Sequence, residues 1–168
     1  MRLQMPLQHG GVRLKKRKTA RPLDLDRPIL VILRSERALG DWSLLQKVNQ
    51  KKVRSLLGFS AARFSIEILK IANFGRQLQL LIRARSRVSF QNFLRIFAGA
   101  LALEITGAKR GVKQGRFWSH LAYSRVVESA KMVRHVLDHV MVKLFDFSAI
   151  EQRELDLFNY RAQIALKL

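Results

Sequence analysis

The sequence contains no cysteine. That absence excludes disulfides, thiolate nucleophiles and cysteine-ligated zinc. Histidine is scarce too. His9, His120, His135 and His139 show no H-x-H or H-E-x-x-H spacing, so no imidazole metal cage is legible. No apolar run is read as reaching membrane-crossing length, and the N-terminus lacks the hydrophobic core of a secretory signal. The expectation is a cytoplasmic protein, with nucleoid association allowed. A transit peptide is the alternative reading of the basic start, which is free of acids as far as Asp24.

Acidic residues are the other shortage. Asp and Glu total 12 against 32 Lys and Arg, a formal net charge of +20 and a sequence pI of about 11.6. Such an imbalance costs self-repulsion, and a polyanionic partner is the usual way it is offset. Nucleic acid is the leading candidate. An anionic membrane surface is the alternative, and it is disfavoured because no basic amphipathic helix stands apart from the core pattern. The 168 residues and 48% hydrophobic content suit one domain with a real core.

Residues 1–27 read as a basic flexible arm. Arg13, Lys15, Lys16, Arg17 and Lys18 place five positive charges within six residues, a block that repels itself until it meets phosphate. The plainer alternative is a solubilising tail. From Pro28 the pattern changes. Ile29 to Leu33 is short, apolar and β-branched, as in a central strand. Asp41 and Ser43 are candidate caps for a helix reaching about Phe59, and Ile66 to Ile71 reads as a second strand. Asn73-Phe74-Gly75 marks a turn. In the strand Gln77 to Arg83, Leu78, Leu80 and Ile82 share one face; Gln77, Gln79, Leu81 and Arg83 share the other.

A helix from about Arg87 to Thr106 repeats Phe90, Leu94, Phe97, Leu101 and Ile105 at helical spacing and stops at Gly107. A basic, Gly-punctuated loop and a strand over Phe117 to Val127 follow. Helices are expected over Glu128 to Phe145 and from the capping-box spacing Ser148-Ala149-Ile150-Glu151 to Leu168. The fold class implied is α+β: a ferredoxin-like split β-α-β with an antiparallel sheet over residues 28–147, plus C-terminal helices, the last spanning 148–168.

Four stretches carry a family resemblance. They are Arg27-Pro28-Ile29-Leu30-Val31-Ile32-Leu33-Arg34-Ser35, Asn73 to Arg83, Phe90 to Gly111, and Gly115-Arg116-Phe117-Trp118 with Leu121 to Val127. In order and spacing they resemble the single-tyrosine HUH transposases, in the branch that includes the REP-associated tyrosine transposases. The resemblance covers roughly residues 21–145. It implies an HUH endonuclease-like fold, a Mg²⁺ or Mn²⁺ ion held by two histidines on one strand face, a helix-borne tyrosine nucleophile, and often a Gln one turn after it. Positions i and i+2 share a strand face, and i and i+4 share a helix face.

Here the histidine positions are Gln77 and Gln79, the tyrosine position aligns with His139, and Lys143 stands four residues on. A glutamine carboxamide can ligate Mg²⁺, but a neutral pair beside a lysine is a poor cage. The expectation is no metal, no cofactor and no catalytic residue. Tyr160, with Gln163 at i+3 rather than i+4, reads as a packing or surface tyrosine, and Tyr123 as a strand residue.

What remains is binding. Arg34, Arg76, Arg83, Arg85 and Arg87 are expected near the sheet face and its edges. Lys109, Arg110, Lys113 and Arg116 form a second group, with Phe117 and Trp118 beside it. Basic groups with aromatics for stacking suit single-stranded or hairpin nucleic acid; core packing is the alternative for both aromatics. DNA is favoured over RNA by the resemblance, and a homodimer is allowed. Three functions compete: a cleavage-deficient transposase-like DNA-binding protein, an RNA-binding or ribosome-associated protein, and an active transposase with a rearranged site.

Overall fold

The computed structural model describes residues 8–11, 23–109 and 114–127. Its central strand is β2 (Ile29–Arg34). Three further strands surround it: β3 (Ile66–Asn73), β4 (Gln77–Ala84) and β5 (Leu121–Val126). A short edge strand, β1 (Gln8–Gly11), completes an antiparallel sheet of order β1-β5-β2-β4-β3. Helix α1 (Lys47–Arg63) links β2 to β3, and α2 (Arg87–Thr106) links β4 to β5. The order β2-α1-β3-β4-α2-β5 is the split β-α-β, ferredoxin-like plan that the sequence predicts. Both helices pack against each other and against β3; a right-handed crossover is the expected hand for such connections.

Period-two patterning explains the buried sheet face. Ile29, Val31 and Leu33 of β2 and Leu78, Leu80 and Ile82 of β4 are at most 2% exposed. Against them α2 lays Phe90, Phe93, Leu94, Phe97, Leu101 and Ile105, all buried. Phe93 and Phe97 stack at 5.6 Å. Each such ring stabilises the fold by roughly 1.5–3 kcal/mol through burial. Local chemistry sets the ends of α2: the Ser86 hydroxyl accepts from the Ser89 amide, and Gly107 closes the helix at φ 65. By length and composition α2 is also apolar enough to cross a membrane, which corrects the expectation that no segment is. In this fold the buried side of α2 packs on the sheet and on α1, while Val88 and Leu103 are exposed.

Four local expectations are corrected. First, residues 8–11 form a strand where the sequence predicts only an arm; Gln8 pairs with Arg125 and His9 with Ser124. Second, the helix expected from Asp41 or Ser43 starts at Lys47, because Gly40–Trp42 forms a 3-10 turn with Gly40 at φ 54. The Asn49 side chain ties that turn to α1 by donating to the Asp41 and Ser43 carbonyls at 2.7 and 2.8 Å. Third, α1 continues past Phe59 to Arg63, since Ser60 and Ala61 are buried on the next turn. Fourth, the last strand starts at Leu121, because residues 117–120 are held as a bend. The helices expected after residue 128 lie outside the described residues.

Candidate nucleic-acid interface

The sheet face turned away from the helices is where the resemblance places a metal. β2 presents Leu30, Ile32 and Arg34 there. β4 presents Gln77, Gln79, Leu81 and Arg83, as the sequence predicts. Register builds cross-strand rows: Arg34 opposite Gln77; Tyr123, Ile32, Gln79 and Ala72 in one line; Arg125, Leu30, Leu81 and Lys70 in the next; Glu67 opposite Arg83. A bulge between Ile68 and Lys70 shifts the outward set on β3.

The centre of this face is neither basic nor open. Leu81 is 3% exposed, Leu30 and Ile32 are partly buried, and the Gln79 Oε1 is buried without a hydrogen-bond partner among the described residues. A buried unpaired carbonyl costs about 1–3 kcal/mol, so Gln79 burdens the fold. It is also no substitute for an imidazole. Its neighbours in register are Ile32 and Ala72, and Gln77 sits opposite a guanidinium-bearing residue. Among the described residues no group of three His, Cys, Asp or Glu side chains is placed to hold a metal ion. The donors present do not fit a divalent cation: two neutral amides, one buried beside apolar groups, and Glu67 engaged with Arg83 at 3.6 Å. His139 and Lys143 lie outside the described residues.

The predicted basic residues separate into two poles. Arg34 and Arg76 stand at one end of β4 with Arg116; Arg83, Arg85 and Arg87 stand at the other. Six residues separate Gln77 from Arg83, roughly 20 Å at strand rise. At the first pole Arg34 is exposed, with Glu36 at 3.8 Å, while Arg76, Lys109 and Arg116 are exposed. At the second, Arg83, Arg85 and Arg87 are exposed. Exposed ion pairs such as Arg34–Glu36 and Arg83–Glu67 contribute little, so the cations of Arg34 and Arg83 stay available to phosphate. Arg13, Lys15, Lys16, Arg17, Lys18, Arg110 and Lys113 lie outside the described residues.

A residue the sequence reading passed over organises the first pole. Arg37 Nη1 donates to the Gln114 carbonyl at 2.5 Å, and its guanidinium lies 4.8 Å from the Trp42 ring centroid. Next to it the Ser35 hydroxyl donates to the Phe117 carbonyl at 2.6 Å, and the Ser119 amide donates to the Arg34 carbonyl at 2.9 Å. These bonds pin the loop before β5 to the end of β2. Nothing in local sequence announces them, because partners are about 80 residues apart. Trp118 has a packing role: its indole N–H donates to the Ala98 carbonyl of α2 at 2.8 Å, and Phe117 meets it edge-on. The core-packing alternative is therefore the one the geometry supports, and Phe117 is 3% exposed.

No family model matches the sequence, and no curated protein matches it. Among solved structures, a candidate transposase from Deinococcus radiodurans R1, determined by crystallography at 1.90 Å, is similar at 16% identity. The match covers 80% of this chain and 100% of that chain, with a TM-score of 0.46.

Proposed function

We propose that this protein binds nucleic acid, hairpin or single-stranded DNA before RNA, through a transposase-like domain that does not cleave it. The single observation that carries the binding half is the charge: +20 over 168 residues, with exposed cations at both ends of the sheet. Such a surface attracts phosphate, and release of condensed counterions drives the association. The absence of cleavage is supported by chemistry. The motif resemblance places ligands at Gln77 and Gln79, where the donor set does not fit a dication. A Lys at position 143 would favour an anion there, so a phosphate can be held without being polarised for attack.

The poles also suggest how a strand would lie. The backbone would be gripped at Arg34, Arg76 and Arg116 and again at Arg83, Arg85 and Arg87, past a centre that offers no charge. The test is a salt titration of hairpin DNA binding by fluorescence anisotropy, followed by a denaturing gel with Mg²⁺ or Mn²⁺. Binding that weakens steeply with salt and leaves no covalent protein–DNA band is expected. Failure to bind at low salt overturns the reading, and a covalent band overturns its second half.

A further inference from the structure

The helical layer carries a basic line that the sheet-centred reading does not use. Within α1 stand Lys47, Lys51, Lys52, Arg54 and Arg63 and no acidic residue. Lys52 is committed to the fold: its Nζ donates to the Glu104 carbonyl at the end of α2, 2.6 Å away. Lys47, Lys51 and Arg54, at i, i+4 and i+7, fall on one exposed face. No ion pair among the described residues involves Lys47 or Lys51. The arrangement works against helix stability twice. Like charges at i and i+4 repel, and Lys47 sits in the first turn, at the positive end of the helix dipole, with no acid there. For Lys47 and Lys51 that cost is offset by no ion pair among the described residues, which is what a surface selected for an external anion would show.

Resting on the proposed nucleic-acid reading, we infer that Lys47, Lys51 and Arg54 of α1 dock on the phosphate backbone of a DNA duplex, such as a hairpin stem. Rigidity supports the duplex: from Lys47 to Arg54 the helix rises about 10.5 Å and holds its cations in line. A rigid helix offers cations at fixed intervals, which suits a backbone of regular pitch. Single strands are held instead by stacking aromatics, and this line has none: Phe59 lies roughly a quarter-turn or more from it, and Gly58 continues it without bulk. The stem would then lie on the helical layer while an unpaired strand uses the sheet side.

The experiment compares full-length wild type with the double variant Lys47→Gln/Lys51→Gln, which leaves Arg54 and its contacts in place. Arg63→Gln/Arg95→Gln, both off this line and off the outer sheet face, serves as the charge-matched control. Each is titrated with a blunt DNA hairpin and with an oligo(dT) strand across a salt series. On the hairpin, the double variant should lose about 1.8 from the magnitude of the log–log salt slope, near 0.9 per phosphate, with the control and the oligo(dT) slopes moving far less. Lys47→Arg/Lys51→Arg should restore the wild-type slope. Wild-type binding to the hairpin with an equal loss in the control, or with an unchanged slope in the double variant, overturns this inference alone. An equal loss on oligo(dT) overturns the duplex assignment. If wild type binds neither DNA, the proposed function itself fails.

Discussion

Gly115 and Arg37 occupy one space. A Cβ at position 115 would stand 2.9 Å from Arg37 Nη1, and Gly115 has φ 73, a left-handed conformation that side chains disfavour. Replacing Gly115 by Ala should cost about 1–2 kcal/mol, from backbone strain and displacement of Arg37 from the Gln114 carbonyl. Chemical denaturation checks it. Arg37→Ala made together with Gly115→Ala should cost less than the two singles summed, since the first removes what the second displaces. Strict additivity would show that the two do not share this contact.

Gln79 should be replaceable at a gain. Its Oε1 is buried and without a partner among the described residues, between Ile32 and Ala72 in register. Gln79→Leu should leave stability unchanged or raise it by about 1 kcal/mol, because the unmet acceptor disappears. A loss above about 1 kcal/mol would mean that the amide has a structural role.

The basic block Arg13, Lys15, Lys16, Arg17 and Lys18 is best tested by substitution. Truncating the N-terminus would remove β1 and its pairing with β5. Changing all five residues to Gln should reduce the salt slope of DNA binding, which is expected to be about −4 to −7 if roughly five to eight phosphates are neutralised. An unchanged slope would make the block a passive tail.

Installing the residues that the motif resemblance implies should create the chemistry it implies. Gln77→His, Gln79→His, His139→Tyr and Lys143→Gln together should give saturable Mn²⁺ binding by calorimetry and a covalent band on hairpin DNA. Wild type should give neither. Tight stoichiometric Mn²⁺ binding by wild type, abolished in Gln77→Ala, would refute the reading of these positions.

Much of the fold was legible because its signals are local. The β-branched run at Ile29–Leu33, the alternation through Gln77–Arg83, and the Ser86-to-Gly107 helix each carry their period and their stops within a few residues. The strand that places Gln77 and Gln79 on one face followed from period two alone. Strand β1 was not legible. Gln8-His9-Gly10-Gly11 has little β propensity, and its pairing with β5 depends on residues more than 100 positions away. The same holds for Arg37, Ser35 and Trp118, whose partners are supplied by a loop or helix remote in sequence.

The candidate site divides along that line. Which residues are basic, and that glutamines stand at positions 77 and 79, the amino-acid sequence determined by itself, since identity and spacing are properties of the chain. Where the charges gather was decided only by tertiary structure. Folding split one run of arginines between the two ends of β4, turned Trp118 onto Ala98, buried Leu81 on the outer face, and left Lys47 and Lys51 exposed on the helical layer. Distance between charges in space is set by which strands pair and which helix faces pack. Those choices come from non-local burial and hydrogen bonding that no window of sequence contains.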